Sequence, residues 1–287
     1  MEIQVKGHSG CNIEIIDEGE RLCVCKSSTD PLYLDRLILQ ADKQKRAAEK
    51  RYSHIKIPRI FAIKRTLDYA FIKMEYIYSK NFIQYFEEAG FEQIDSIINA
   101  LIDYVEREIS ESSVQLVPPQ KMLEKFNDVK QHINSNIFLT NDEEIQNLII
   151  LSEKYFNSLC DIKLPIGVCH GDLTFSNILF NGSTCYLIDF LDSFVESPLQ
   201  DIVKIRQDSA YLWSQLMYTK PYDKTRLEII FSVIDNEINN HFKKYDWYNN
   251  HYKVFQLMNM LRVLQYSNNT YVVNFLKKTI KDICHEF

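Results

Sequence analysis

The sequence lacks the features that would place the protein in a membrane or outside the cell. No apolar run approaches the roughly 20 residues that span a bilayer. The first residues, Met-Glu-Ile-Gln-Val-Lys, contain neither the cationic nor the apolar region of a signal peptide. The seven cysteines are odd in number and include no Cys-x-x-Cys pair. We therefore expect free, mostly buried thiols in a reducing cytoplasm, and no membrane partner.

Basic blocks and glycines are also few. Only Lys43–Arg46 and Lys50–Arg51 form basic clusters, and the net charge is −6, so we do not expect nucleic acid as the main partner. The chain has seven glycines, about a third of the usual ~7%. In a sequence with so few glycines, the remaining ones are expected where the backbone must turn. Five of them lie in predicted turns or loops: Gly7, Gly10, Gly19, Gly171 and Gly182.

The distribution of strand and helix patterns divides the 287 residues into two parts. Strands are predicted at 2–5, 12–16, 21–26, 59–63 and 69–77, with a helix over 32–51 that begins at Asp30-Pro31. Helices are predicted at 94–109, 119–134, 141–159, 199–218, 224–241, 250–266 and 270–284. The prediction is an α+β fold, with a small lobe (1–79) of five antiparallel strands and one helix, and a larger, mainly helical lobe (80–287).

One stretch, from Val168 to Asp189, interrupts the helical half with a different pattern. It predicts a short strand near Val168, a polar loop, and a hairpin of two strands, 178–180 and 186–188. The hairpin loop contains Asn181-Gly182 and is counted as six residues, from Asn181 to Tyr186. Such a hairpin would bring Asp172 and Asn177 towards Asp189. Three oxygen-bearing side chains at one place suit a hard divalent cation and a phosphoryl group.

Each part of this stretch has a structural explanation when it is taken alone, because Asp172, Asn177 or Asp189 could cap a turn, satisfy a loop or end a strand. The combination His-Gly-Asp-x-x-x-x-Asn with a later Ile-Asp-Phe is much more specific. In this combination the chain resembles the aminoglycoside phosphotransferase and choline kinase group, relatives of the protein kinases. The resemblance implies a protein-kinase-like, two-lobed fold and an ATP-dependent small-molecule kinase.

The resemblance also implies roles for individual residues of the motif. Asp172 would be the catalytic base that accepts the proton of the substrate hydroxyl. Asn177 and Asp189 would hold Mg²⁺, and Lys26 would pair with the phosphates of ATP. His170 would be a structural residue of the loop and not a base.

The nucleotide site is implied by the same resemblance. Val24 would cover the adenine ring, Leu179 and Ile188 would lie beneath it, and the backbone of the hinge would bind its edge. The implied hinge residues are Met74, Glu75 and Ile77, and the implied phosphate-covering loop contains Gly7, Ser9 and Gly10.

Some positions remain open at this stage. The family pairs its strand lysine with a helix glutamate, and the helix here offers Gln40, Asp42, Gln44 and Glu49 without indicating which. Asp201 resembles an aspartate that supports the catalytic loop. Asp192 lies close enough in sequence to the metal ligands to assist them, and an exposed turn residue is an equal alternative.

The resemblance implies that the acceptor is a small hydroxylated molecule, and among the compatible classes we favour a sugar or an amino-alcohol. Choline would need an aromatic cage, for which the chain offers Tyr211, Trp213, Tyr218, Tyr222, Trp247 and Tyr248. An aminoglycoside would suit an acidic cleft. A nucleotide-binding pseudoenzyme is the alternative function, which the intact Lys26 and Asp172 disfavour. A protein kinase is also disfavoured, because Thr174 stands where those enzymes carry a basic residue.

Overall fold

The computed structural model describes the backbone of residues 3–6 and the backbone and side chains of residues 11–287. Gly7, Ser9 and Gly10 of the predicted phosphate loop therefore lie outside the described residues. The chain forms two compact units. Unit 1 comprises Met1–Arg107, His170–Ser193 and Lys220–Ile230, and unit 2 comprises Glu108–Cys169, Phe194–Thr219 and Phe231–Phe287. The predicted lobe boundary near residue 79 remains a prediction.

Ten strands and nine α-helices occur in the part of the chain that the structure describes. The strands are β1 (Ile3–Lys6), β2 (Asn12–Asp17), β3 (Leu22–Ser28), β4 (Ile55–Lys56), β5 (Ile60–Arg65), β6 (Ala70–Glu75), β7 (Ser113–Val117), β8 (Ile162–Ile166), β9 (Ile178–Asn181) and β10 (Thr184–Leu187). The helices are α1 (Pro31–Ala48), α2 (Phe82–Glu88), α3 (Phe91–Ser110), α4 (Pro119–Ser135), α5 (Glu143–Asn157), α6 (Pro198–Ser209), α7 (Lys224–Phe242), α8 (Asp246–Leu264) and α9 (Thr270–His285).

The predicted five-stranded antiparallel sheet is confirmed, with the strand order β1-β2-β3-β6-β5. Helix α1 begins as predicted, because the Asp30 side chain accepts a hydrogen bond from Leu32 N at 3.0 Å and Pro31 opens the first turn. Its apolar face packs on the sheet through a cluster that includes Leu34, Leu37, Ile72 and Met74. Lys26 lies on β3 opposite Ile72 and therefore shares this buried face.

The hairpin of the central motif is confirmed, but two details of the prediction are wrong. Asn181 pairs with Thr184, so β9 and β10 are joined by the two residues Gly182 and Ser183 and not by a six-residue loop. Gly182 has φ +59, a conformation that glycine adopts without steric cost. The predicted strand near Val168 lies earlier, at β8, where it pairs with β7. Strand β4 was not predicted and pairs in parallel with β10.

Unit 2 is mainly helical, and its helices occur where the apolar periodicity places them, with one correction. The predicted helix over 199–218 ends at Ser209. The buried Asp208 carboxylate accepts a hydrogen bond from Ser214 N at 2.9 Å, and Leu212 adopts φ +57, so the backbone turns away. A short 3₁₀-helix follows, Ser214–Met217. Helix α8 is buried along most of its length.

All seven cysteines are free thiols, as predicted, and six of them are buried. Burial raises the pKa of the Cys185 thiol to about 12, so this residue is protonated and unreactive near neutral pH. In the described part of the chain, no helix is both long and apolar enough to cross a bilayer.

Candidate active site

The β9–β10 hairpin sets the positions of the two predicted metal ligands. In its register Ile178 pairs with Leu187, so the residues that come before β9 and after β10 face each other. The backbone N–H of Ile188 donates to the Asn177 carbonyl at 3.0 Å and extends the pairing by one residue. Asn177 and Asp189 are therefore held at the same end of one hairpin, as the sequence predicted.

Asn177 also fixes the predicted catalytic base. Its Nδ2 donates to the Asp172 backbone carbonyl at 2.8 Å and to Asp172 Oδ2 at 2.9 Å. Both partners are acceptors, so they identify the side-chain nitrogen and orient the amide. The 3₁₀-helix Phe175–Asn177 makes this contact possible, because it turns the chain back over the loop that carries Asp172.

Lys26 and Asp189 form an ion pair across 163 positions of sequence, with Nζ and Oδ1 3.1 Å apart. The Lys26 side chain is 6% exposed and that of Asp189 is 41% exposed. Burial alone would lower the pKa of Lys26, but the attraction of Asp189, assisted by Tyr33, outweighs this effect and raises the pKa. The ammonium group is therefore charged near neutral pH and available to an anionic ligand.

His170 is fully buried and uses both ring nitrogens within the protein. Nε2 lies 2.9 Å from the Ile188 carbonyl, and Nδ1 accepts a hydrogen bond from Asp172 N at 3.2 Å. The Phe190 ring packs on the imidazole at 4.2 Å. This geometry supports a structural role, because Nε2 is then the protonated nitrogen and neither nitrogen can accept a proton from a substrate.

The backbone at Asp189 is strained. Asp189 adopts φ +61, a conformation that costs an aspartate about 1–3 kcal/mol and persists only where neighbouring contacts enforce it. One such contact is the hydrogen bond from Leu191 N to the His170 carbonyl at 2.9 Å. Gly171, at φ +91, makes a second contact, because a Cβ atom there would lie 2.1 Å from the Leu191 oxygen. The glycine thus permits the close approach of these two backbone segments.

Among the described residues, no carboxylate of α1 pairs with Lys26. Gln40 and Gln44 are the members of the predicted set that are buried on α1, and both are uncharged. The Gln40 amide accepts from Tyr33 OH at 3.3 Å, and the Gln44 amide donates to the Pro58 carbonyl at 3.0 Å. Among the residues that the structure describes, Asp189 is the only carboxylate that pairs with Lys26.

Helix α1 instead contacts the segment that follows Asp189. Lys43 Nζ donates to the Leu191 carbonyl at 2.5 Å, and Arg36 Nε lies 3.5 Å from Asp192 Oδ1. Asp192 is 58% exposed, in agreement with the alternative of an exposed residue, and its assistance to the metal ligands remains a prediction. Sequence reasoning missed Lys43, because its partner is a backbone carbonyl and leaves no signal in residue type.

The predicted adenine-binding residues lie on two surfaces of unit 1. Val24 pairs with Met74 across β3 and β6, and Leu179 and Ile188 lie in or beside the hairpin, where both are half-buried. The N–H group of the buried Ile77 makes no hydrogen bond with any described residue, so it can bind a ligand. Glu75 accepts a hydrogen bond from Arg59 N through its side chain.

One of the six aromatic residues that could form a cage, Tyr248, is buried in the protein core. Tyr248 is 2% exposed and its hydroxyl group donates to Asn239 Oδ1 at 2.8 Å while it accepts from Arg206 Nη1 at 2.8 Å. Arg206 itself forms a two-point ion pair with Asp235, with distances of 2.8 and 2.9 Å. Tyr248 is therefore part of the core of unit 2. Asp201 is also fully buried there, on α6, and its predicted role towards the catalytic loop remains a prediction.

A comparison with family models identifies the family to which the chain belongs. The model described as the phosphotransferase enzyme family matches residues 7–224, well over half of the chain and all of the motif described above. The chain belongs to this family. The match confirms the family predicted from the sequence, and the predicted enzyme class, a small-molecule kinase, agrees with it. A comparison with curated proteins found no match.

Solved structures confirm the predicted protein-kinase-like α+β fold of this phosphotransferase. The GDP and kanamycin complex of APH(2")-IIia is 12% identical, with a TM-score of 0.65 and coverage of 100% of this chain and 93% of that chain. A choline/ethanolamine kinase family protein from Mesorhizobium loti is 10% identical, with a TM-score of 0.61 and coverage of 99% and 87%. Amicoumacin kinase hAmiN, in complex with AMP-PNP and Ca²⁺, is 10% identical, with a TM-score of 0.60 and coverage of 99% and 88%.

Proposed function

We propose that this phosphotransferase moves the γ-phosphoryl group of ATP to a hydroxyl group of a small molecule, with magnesium as the metal. The observation that supports the proposal is the convergence of four side chains in unit 1. Asp172 is bonded to Asn177, and Lys26 is paired with Asp189. Phosphoryl transfer requires positioning and charge stabilisation more than covalent chemistry, and these groups supply both.

Asp172 would orient the acceptor hydroxyl and accept its proton. The Asn177 amide donates to Oδ2 at 2.9 Å and so holds the carboxylate in one orientation. A proton acceptor that is held by a neighbouring amide needs little rearrangement during the reaction. The other candidate base near the loop, His170, would serve only to hold the backbone.

The residues present fit a magnesium ion. Neither Asn177 Oδ1 nor Asp189 Oδ2 accepts a hydrogen bond from a described residue, so both are available as ligands. The described residues contain no cluster of three or more His, Cys, Asp or Glu side chains that would form an all-protein site. This agrees with magnesium, which uses one or two protein carboxylates together with phosphates and water. When bound, it would neutralise charge on the phosphate oxygens.

Lys26 would hold the phosphates in place. Its ammonium group is buried and charged, and it shares the face of β3 with Val24, the predicted cover of the adenine ring. The unpartnered N–H of Ile77 would bind the edge of the base. Adenine is the base that we expect, and GTP is the alternative donor, because the APH(2")-IIia structure contains GDP.

The acceptor is proposed as a sugar or an amino-alcohol. For choline, the structure removes one candidate cage residue, because the Tyr248 hydroxyl accepts a hydrogen bond from Arg206 in the core of unit 2. An aminoglycoside remains the alternative acceptor, since APH(2")-IIia was solved with kanamycin.

A pseudoenzyme that binds nucleotide without turnover is the second candidate function. The intact set of Lys26, Asp172, Asn177 and Asp189 argues against it, because each residue is present and in contact with another member. The strained backbone at Asp189 also favours an active site, since such strain is kept where function requires it.

The test is nucleotide consumption with a panel of sugars, amino-alcohols, choline and aminoglycosides, with ATP and GTP as donors and with Mg²⁺ present. Asp172→Asn is the control, because asparagine keeps the size of the side chain and removes the base. We expect turnover with at least one acceptor and a loss of about 100-fold or more in the variant. Full activity of Asp172→Asn would refute the assignment of the base. Nucleotide binding without turnover on any acceptor would favour the pseudoenzyme.

A further inference from the structure

Helix α1 presents two cations to the segment that follows the proposed metal ligand. Arg36 and Lys43 are seven residues apart, which places them on the same side of the helix two turns from each other. Lys43 Nζ donates to the Leu191 carbonyl at 2.5 Å, and Arg36 Nε lies 3.5 Å from Asp192 Oδ1. Two consecutive residues after Phe190 are therefore bound by a single helix.

The Leu191 peptide is held from both sides. Its N–H donates to the His170 carbonyl at 2.9 Å, and its carbonyl group packs against Gly171 and accepts from Lys43. A hydrogen bond from an ammonium group is stronger than one between neutral groups. The Lys43 contact is thus the bond that connects this peptide to α1, and the His170 contact connects it to the catalytic loop.

These contacts bear on Asp189, which lies two residues earlier. Asp189 has φ +61, so its conformation depends on what its neighbours impose. On its N-terminal side, Ile188 is bonded to Asn177 and to His170. On its C-terminal side, Leu191 is bonded to His170 and Lys43. If the hydrogen bond from Lys43 is removed, the Leu191 peptide on the C-terminal side of Asp189 loses its connection to α1.

Arg36 and Asp192 form another charged contact between α1 and this segment. The buried side chains of the helix near the sheet are the uncharged Gln40 and Gln44, and Lys26 pairs with Asp189 instead of with a helix carboxylate. Here the helix is linked to the metal-binding segment through a backbone carbonyl. Arg36 holds this segment less strongly than Lys43 does. The Arg36 and Asp192 side chains are 47% and 58% exposed, and ion pairs between exposed side chains are weak.

We propose that Lys43 is a positioning residue, which holds the Leu191 peptide and so keeps Asp189 in the conformation that binds metal, with Arg36 as a minor contributor. The inference rests on the proposed function, because it assigns Asp189 to the metal. It predicts that Lys43 controls the order of the segment 188–193 even when no ligand is bound.

The first test measures this order without nucleotide or metal. Hydrogen exchange of the peptides covering residues 188–193 is compared in the wild type, Lys43→Met, Lys43→Arg and Lys45→Met. Methionine keeps the length and packing of lysine and removes its donor, whereas arginine keeps a charged donor. Lys45 is exposed on the same helix and makes no hydrogen bond with a described residue, which makes Lys45→Met a matched control. We expect faster exchange only in Lys43→Met.

The second test measures the half-saturating Mg²⁺ concentration for phosphotransfer in the same variants. Residues that orient metal ligands typically change metal affinity by about 10-fold or more when they are replaced. We expect a rise of about 10-fold for Lys43→Met, no change in KM for the acceptor, and wild-type behaviour for Lys45→Met. Recovery in Lys43→Arg would support positioning through the donated bond.

The two tests separate the inference from the proposed function. Unchanged exchange in Lys43→Met would overturn the positioning role, whether or not the wild type turns over. Faster exchange with an unchanged Mg²⁺ requirement would overturn the link to the metal ligand. A wild type that is inactive with every acceptor would count against the proposed function, and the exchange data would still decide on Lys43. If Lys43→Met does not fold, Lys43→Gln, with a shorter neutral side chain, replaces it in both tests.

Discussion

Replacement of Gly171 by alanine tests the contact on which the site depends. A Cβ at this position would lie 2.1 Å from the Leu191 oxygen and 3.0 Å from its carbonyl carbon. Real Cβ atoms do not approach a backbone oxygen so closely, and backbone cannot swing aside as a flexible side chain does. One of the two segments must therefore move by about 1 Å, a distance that the close packing of protein interiors does not absorb.

The expected loss in the free energy of unfolding of Gly171→Ala has two parts. The left-handed conformation, φ +91 at Gly171, costs an alanine about 1–2 kcal/mol. Movement of Leu191 would weaken its hydrogen bond to the His170 carbonyl, worth about 1 kcal/mol, and the charged bond from Lys43, worth about 1.5–3 kcal/mol. We expect Gly171→Ala to lower the free energy of unfolding by about 3–5 kcal/mol and to reduce turnover, because Asp189 lies two residues before Leu191.

Gly19→Ala is the matched control. Gly19 has φ +83, and an added Cβ would meet nothing within 4 Å, so only the conformational part of the cost applies. Its N–H group donates to Asp17 Oδ1, and alanine retains this donor. Urea unfolding of both variants, followed by circular dichroism, should show that the free energy of unfolding of Gly171→Ala is at least about 2 kcal/mol lower than that of Gly19→Ala. Equal losses in the two variants would refute the proposed close contact.

Two further predictions concern charged pairs inside the units. Lys26→Met should raise KM for the nucleotide, and the stability difference from the wild type should be constant from pH 7 to 9. The difference should shrink only above pH ~10.4, the pKa of an unfolded lysine. The pKa of Lys26 is raised in the folded state, so its charge stabilises the folded protein fully below the unfolded pKa, and this stabilisation is lost as the pH rises through the folded pKa. A stability difference that vanished by pH 8 would contradict the pairing. Arg206→Met leaves the Asp235 carboxylate uncompensated at 16% side-chain exposure, so we expect a loss of about 3–5 kcal/mol, seen as a Tm lower by about 6 °C or more. Arg206→Lys should recover only part of this loss, because lysine cannot make the two-point contact, and equal Tm values for the wild type and Arg206→Met would disprove the pair.

The sequence was sufficient for several features that local chemistry decides. The N-cap at Asp30, the five strands of the N-terminal sheet and the pairing of the β9–β10 hairpin follow from residue type and period over short distances. The motif from His170 to Asp189 also identified the family, because its spacing encodes one arrangement of a loop and a hairpin.

Two other features were missed or misplaced because a specific contact, and not the local pattern, decides them. Strand β4 has only two residues, and nothing in its pattern reveals a parallel pairing with β10. The end of α6 at Ser209 depends on the Asp208 carboxylate and the backbone of Ser214, which apolar periodicity does not encode. In both cases a specific polar or backbone contact overrode the local signal.

The amino-acid sequence specifies which chemical groups the site contains, whereas the folding of the chain specifies which of them are in contact. It contains Lys26, Asp172, Asn177 and Asp189, but Lys26 and Asp189 are separated by 163 positions, and nothing in the sequence indicates their 3.1 Å contact. It also offered four helix partners for Lys26, and none of them pairs with it among the described residues. The physical reason is that a long-range contact depends on how whole elements pack, and its partner can be a backbone carbonyl, as at Leu191.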